Sequence, residues 1–304
     1  MRGWRCVALA AVMAAATARG AYRSGGRVGE GSFKGIVHLA TGPNDRLYVL
    51  DASDRIFVFD GEGKPAGTID PNMANLKAIA ISPKGDLYVF STTFRERKIK
   101  VGARMRMVKV PTGAEVAVFD ASGKPLGEKR KIAGVKSVRS ACFAGDRLAL
   151  ADLSAKAVVV LDPATWRETA RIDSGLRLCC GIFDVCAAPE NTIGVSNLGA
   201  FRFERYDLTG KKLLEFGRRG RGLDRFHGCC NPVSAAFLPD GRIVTVEKDS
   251  TRIKIYEPDG TGAKIIPGVE ELVKGCSYVP VAVDSKGTIY LGAVEKGYVV
   301  RCVP

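Results

Sequence analysis

The stretch Pro239-Asp240-Gly241-Arg242-Ile243-Val244-Thr245-Val246-Glu247, followed four residues later by Arg252-Ile253-Lys254-Ile255-Tyr256-Glu257, decides the fold. Asp240-Gly241 supplies the tight turn that opens a hairpin strand, and the β-branched and alternating residues after it have the period of a strand. The acidic Glu257, followed by Pro258, closes the next one. The same phrase returns as Asn44-Asp45-Arg46-Leu47-Tyr48-Val49, Gly85-Asp86-Leu87-Tyr88-Val89, Gly145-Asp146-Arg147-Leu148-Ala149-Leu150, Glu190-Asn191-Thr192-Ile193-Gly194-Val195 and Lys286-Gly287-Thr288-Ile289-Tyr290. Six such copies mark a repeat architecture. A further strand follows in most of them, as in Arg55-Ile56-Phe57-Val58-Phe59-Asp60, Ala157-Val158-Val159-Val160-Leu161-Asp162 and Arg202-Phe203-Glu204-Arg205-Tyr206-Asp207. No long amphipathic helix intervenes, so the chain reads as all-β.

Around the clearest copy the phrase widens to include Gly220-Arg221-Gly222-Leu223-Asp224-Arg225-Phe226 and Asn231-Pro232 ahead of the turn. These residues resemble the NHL repeat, in which a Gly-rich segment and an aromatic precede a strand, a Gly turn, a strand, a polar bend and an Arg-Ile-type strand. The resemblance runs over about residues 20–304, with the second and third copies degenerate. It implies one domain over 19–304, a six-bladed β-propeller of four-stranded sheets around a central channel. The last copy stops at its third strand, Tyr298-Val299-Val300-Arg301-Cys302, while the alignment of Gly31-Ser32-Phe33 with Asp224-Arg225-Phe226 puts Ala21-Tyr22-Arg23 where a fourth would lie. The expectation is an N-terminal strand that closes the last blade and leaves no unpaired strand edge.

With 304 residues and 46% hydrophobic content, the chain has ample material for a core. Arg2 and Arg5 precede an apolar run from Cys6 to Ala16, and Ala16-Thr17-Ala18 offers small residues for cleavage, so residues 1–18 read as a secretory signal. That run is shorter than the roughly 20 apolar residues of a spanning helix. No transmembrane segment is expected after cleavage, and the protein is expected outside the cytoplasm, periplasmic or extracellular. The net charge of +14 loses only Arg2 and Arg5 with the signal, so the rest stays strongly basic.

Much of that charge sits in an insertion at about 92–114 in the second copy, where Arg95, Arg97, Lys98, Lys100, Arg104, Arg106 and Lys109 face only Glu96. Alternation in Lys98-Ile99-Lys100-Val101 and Arg104-Met105-Arg106-Met107-Val108 predicts an extended hairpin. It reads either as a solvated ribbon or as an anion-binding arm. Some NHL propellers bind RNA on a basic face, but an exported chain is not expected to meet nucleic acid. A protein or an anionic envelope component is the expected partner.

Of nine cysteines, Cys6 leaves with the signal, and the even remainder permits disulfides in an exported chain. Alignment on the hairpin turns places Cys179-Cys180 on Cys229-Cys230, and Cys276 on Cys230, in the loop that enters the innermost strand on the top face of a propeller. His227 lies beside the second pair. Three readings stay open: structural disulfides, each contributing typically about 2–4 kcal/mol; a zinc or copper ion held by thiolates and His227; and a redox or covalent thiol. Adjacent cysteines stand in place of the Cys-x-x-Cys of ordinary zinc motifs. Cys142, Cys186 and Cys302 fall within predicted strands, as buried thiols or a disulfide pair.

The same alignment makes Asp51, Ser91, Asp152, Asn197, Glu247 and Ala293 equivalent, at the end of each second strand. Asp51, Asp152, Asn197 and Glu247, with Lys248, are the candidate ligand-binding residues, competing with a turn-stabilising role. Enzymatic signatures are sparse: there is no Gly-x-Ser-x-Gly elbow and no phosphate loop. The two histidines, His38 and His227, are too few for the zinc set of amidating lyases with NHL propellers. The expected function is non-catalytic binding of a ligand or protein partner through the top face. The alternative is a metal-dependent enzyme or a metal- or redox-binding protein at the channel mouth.

Overall fold

The computed structural model describes residues 21–102, 104–249, 252–269, 272 and 277–304. The segment read as a secretory signal and Cys276 lie outside the described residues. In chain order the strands are β1 (Arg23–Val28), β2 (Ile36–Thr41), β3 (Leu47–Asp51), β4 (Ile56–Phe59) and β5 (Pro65–Ile69). Then follow β6 (Leu76–Ile81), β7 (Leu87–Val101), β8 (Arg104–Phe119), β9 (Arg130–Ile132), β10 (Val138–Ala144), β11 (Arg147–Asp152), β12 (Ala157–Leu161) and β13 (Glu168–Ile172). The remainder are β14 (Asp184–Ala188), β15 (Thr192–Asn197), β16 (Arg202–Tyr206), β17 (Lys212–Phe216), β18 (Ser234–Phe237), β19 (Ile243–Glu247), β20 (Arg252–Tyr256), β21 (Lys264–Ile265), β22 (Val281–Val283), β23 (Ile289–Ala293) and β24 (Tyr298–Val303).

These strands form six four-stranded antiparallel sheets, β2 to β5, β6 to β9, β10 to β13, β14 to β17, β18 to β21, and β22 to β24 with β1. This corrects the expectation of one closed six-bladed β-propeller. The sheets are separate, and among the described residues no ladder of backbone hydrogen bonds runs from one to the next to close them into a single body. The reason lies in the repeat itself, since each copy completes its pairing in four strands and then crosses to the next sheet through a loop. The arrangement is propeller-like and all-β. The N-terminal strand β1 pairs with β24, Val28 opposite Val299 and Arg23 opposite Val303, and this completes one sheet only.

Neighbouring sheets meet through side chains. Tyr48, Leu50 and Ile56 pack on Ile79, Leu87 and Val89, and Phe90 packs on Leu150 and Val159. Further round, Ala149 and Val158 meet Ile193 and Val195, Phe203 meets Ile243 and Tyr256, Val246 meets Leu291, and Tyr290 meets Leu47 and Val49. Middle strands are therefore covered on both faces, and β3, β11, β15, β19 and β23 are almost wholly buried instead of alternating. Each fully buried Leu, Val or Ile contributes about 1.5–3 kcal/mol. The outermost strands, such as β5 and β13, are mostly exposed.

The turns bear out their sequence chemistry. Every copy passes through a residue in the left-handed region before its second strand, with φ of 57° at Asp45, 93° at Gly85, 59° at Gly145, 56° at Asn191, 84° at Gly241 and 82° at Gly287. Gly, Asn and Asp tolerate that conformation best. At the other end, Asp60 accepts the amides of Glu62 and Lys64, and Asp120 and Asp207 repeat the pattern. In these three sheets the acidic residue that ends the third strand thus builds the next hairpin.

A four-thiol candidate metal centre

Two loops of consecutive repeats converge on one spot. The first leads into β14 and carries Cys179-Cys180; the second leads into β18 and carries Cys229-Cys230, and β14 and β18 are packed neighbours. Asn197, at the end of β15, straps the first loop: its Oδ1 accepts the Arg177 amide at 2.8 Å and its Nδ2 donates to the Gly175 carbonyl at 3.0 Å. In the second loop Asn231 does comparable work. Its Oδ1 accepts the Lys248 amide at 2.9 Å, and its Nδ2 donates to the carbonyls of Lys248 and His227. Glu247 accepts the His227 amide at 2.7 Å, and Asp249 accepts that of Cys229 at 3.3 Å.

The result is a cluster in which the sulfurs of Cys179, Cys180, Cys229 and Cys230 all lie within 4.8 Å of one another. Within each pair the separation is 3.3 Å and 3.6 Å. Disulfide sulfurs sit about 2.05 Å apart, so neither adjacent pair is bridged within itself. Four thiolates bound at about 2.3 Å around a tetrahedral ion stand about 3.8 Å from each other. The donor set and spacing therefore fit a single thiophilic ion. The second cysteine of each pair is held in the left-handed region, Cys180 at φ 55° and Cys230 at φ 60°, where a non-glycine residue is uncommon. Both loops spend backbone strain to turn two adjacent sulfurs to the same side.

Electrostatics set the condition for such a site. Burial, with Cys179 and Cys229 alongside, pushes the Cys230 thiol well above the ordinary cysteine value. Four thiols this close cannot all ionise unless a cation is among them, and a coordinated metal deprotonates them outright. The buried Lys248 brings its Nζ to 3.3 Å from the Cys180 sulfur. The alignment of the two cysteine pairs thus placed side chains that do meet. The His227 ring is not a member of the four-ligand cluster.

The polar ring is engaged with the protein's own backbone. Asp51 accepts the Gly35 and Ser53 amides, both at 2.9 Å; against the cost of burial, hydrogen bonds from Ser53 and Gly35 hold its carboxyl below the usual range. Asp152 accepts four amides, of Lys136, Ser137, Ser154 and Ala155. Glu247, besides His227, holds Arg252 and Lys254, each at 2.8 Å. These residues fasten the loops entering β2, β10 and β18 to the ends of β3, β11 and β19.

Sequence reading missed the floor of the central cavity, about 220 Å³ in volume, to which all six inner strands contribute. Ala40, Ala80, Ala141, Ala187, Ala236 and Ala282, one per strand, keep it open. Asp184 is buried there, accepting the Tyr278 hydroxyl at 2.8 Å and the Ala235 amide at 3.1 Å, and burial pushes its carboxyl up to about 7. Across the floor, burial and then the charge of Arg139 press His38 down to about 4. Cys142 and Cys186 line the same space, with thiols driven up chiefly by burial. The available signal was Asp184 itself, the one acidic residue within the six inner strands.

No protein-family model matches this chain, and no curated protein matches it in sequence. The likeness to NHL repeats rests on the repeat pattern alone, and the functional reading rests on the site.

Proposed function

We propose that this chain is an exported, non-catalytic binding protein whose top face is organised by one thiophilic metal ion held by Cys179, Cys180, Cys229 and Cys230. The observation that carries this is the mutual approach of the four sulfurs to within 4.8 Å. Four-sulfur tetrahedral sites suit zinc, and a zinc site with four protein ligands is closed, whereas catalytic zinc keeps a position open for water or substrate. The metal-dependent-enzyme alternative would draw on Asp51, Asp152, Asn197 and Glu247, which are occupied by backbone amides and cations. The ion would tie the loops of two neighbouring sheets, leaving their exposed outer surface to meet a ligand or protein partner.

Elemental analysis of the purified protein, paired with thiol alkylation, tests the reading. One zinc per chain is expected, or one copper or iron in its place, lost in Cys179→Ser and in Cys230→Ser. A metal-free protein whose four cysteines react only after a reductant is added overturns it in favour of disulfides.

A further inference from the structure

The strands β7 and β8 run for 15 and 16 residues, where the second strands β3, β11, β19 and β23 have five or six and the third strands β4, β12, β16, β20 and β24 four to six. Pairing of β7 with β6 stops at Ser91, and pairing of β8 with β9 begins at Ala114. Between these points, among the described residues, the two strands pair only with each other, from Thr92 opposite Ala114 to Val101 opposite Arg104. The second strand of each repeat ends on the face that carries the cysteine loops, so this two-stranded ribbon projects from that face.

Residues directly opposite in an antiparallel pair share a face, and faces alternate along each strand. One face of the ribbon therefore carries Arg95 opposite Val110, Arg97 opposite Val108, Ile99 opposite Arg106 and Val101 opposite Arg104. The other carries Lys98 opposite Met107 and Lys100 opposite Met105, with Glu96 opposite Lys109 nearer the base. Cations and apolar side chains are thus paired across both faces, arginines with aliphatics on one and lysines with methionines on the other. The apolar members near the tip are open to solvent, Met105 at 62%, Met107 at 52% and Val101 at 47% exposure. An isolated ribbon gains nothing in water from exposing them.

We infer that this ribbon is a membrane-surface anchor that binds the headgroup region of an anionic lipid bilayer. Seven cations against one acid complement a negative surface. Met105, Met107 and Val101 would enter the boundary between headgroups and acyl chains, while the long arginine and lysine side chains stay with the phosphates. A single-stranded nucleic acid would use the same cations but calls for aromatic stacking platforms. The strand segments Arg95–Val101 and Arg104–Val110 hold no aromatic residue.

The test is co-sedimentation of the full chain with vesicles of mixed phosphatidylglycerol and phosphatidylcholine, against vesicles of phosphatidylcholine alone. Binding to the anionic vesicles only, weakened by salt, is expected. Arg104→Glu with Arg106→Glu should cut the affinity at least about twentyfold, each surface cation being worth roughly fivefold. Met105→Ser with Met107→Ser should also weaken it, and most visibly at high salt, where the apolar contribution is what remains. All four substitutions lie in the exposed ribbon, and circular dichroism of each variant checks that the sheets persist. Equal binding to both vesicle types, no loss on charge reversal, or capture of inorganic polyphosphate or oligonucleotide without any vesicle binding would each overturn the inference.

Discussion

Lys248 Nζ lies 3.3 Å from the sulfur of Cys180, although the two residues lie on loops of different sheets and 68 positions apart in sequence. Lys248 is fully buried, and a buried ammonium is stable only beside a compensating charge. A four-thiolate site around a divalent ion carries a net negative charge, so the ammonium and the thiolates stabilise each other. Lys248→Met keeps the length and apolar stem of the side chain and removes its charge. It should lower metal affinity by about 10- to 100-fold, the usual effect of removing a partner that hydrogen-bonds a ligand. Competition with a chromogenic chelator measures this; an unchanged affinity would show that Lys248 serves packing alone.

The carboxylate at the end of each second strand gives a contrasting expectation. Asp152 accepts four backbone amides and belongs to a sheet whose entering loop has no cysteine pair. Asp152→Ala leaves those donors to find water or stay unpaired, at about 1–3 kcal/mol for each one left buried. Denaturant unfolding should report a loss of about 2–4 kcal/mol, while the bound metal per folded chain stays unchanged. Loss of metal without loss of stability would place Asp152 in a site after all.

Much of this molecule was legible because its signals are local and repeated. The turn residues before Leu47, Leu87, Ile243 and Ile289 and the aspartates that close the third strands act within a few residues of themselves. Six copies allow the eye to average over the degenerate ones. The cysteine pairs were legible for the same reason: repeats in register put equivalent positions on neighbouring loops. What was lost is what depends on three-dimensional crossing. Nothing in the spacing of His227 says that its backbone amide is taken by Glu247. Nothing near Lys248 in sequence announces Cys180. The expectation of a closed propeller came from the NHL resemblance and from placing Ala21-Tyr22-Arg23 as a missing fourth strand, which specify strands per sheet but not how one sheet is joined to the next.

Packing in the fourth sheet supplies a steric prediction. At Gly194, in β15, a Cβ would stand 2.6 Å from the Cys186 sulfur and 2.8 Å from Phe203 Cζ. Phe203 is not free to withdraw, since it is fully buried and packs against Phe216 and Phe237. Gly194→Ala should therefore destabilise by about 1–3 kcal/mol through overpacking. Combining it with Cys186→Ala removes one of the two collisions and should recover part of that loss. A double mutant less stable than the sum of the two single effects would locate the strain elsewhere.

The cavity floor predicts how stability responds to acid, because Asp184 and His38 are shifted in opposite senses. Burial raises the Asp184 carboxyl from its ordinary value to about 7, so between roughly pH 4 and 7 the folded protein holds a proton that the unfolded chain has released. Stability from this group is present at low pH and is lost as the pH rises through 7. Burial lowers His38 to about 4, so between about 4 and 6.5 the unfolded chain holds the extra proton. Stability from His38 is present above 6.5 and is lost as the pH falls through 4. Each slope is worth at most about 3–4.5 kcal/mol over its window, and between pH 4 and 6.5 the two oppose each other. Urea midpoints measured from pH 4.5 to 6.5 should accordingly show little contribution from the pair in the parent protein. In His38→Gln the balance is broken and the midpoint should fall as pH rises; in Asp184→Asn it should climb instead. If both variants follow the parent curve, the two groups are solvated in the folded protein and the floor is wetter than its burial implies.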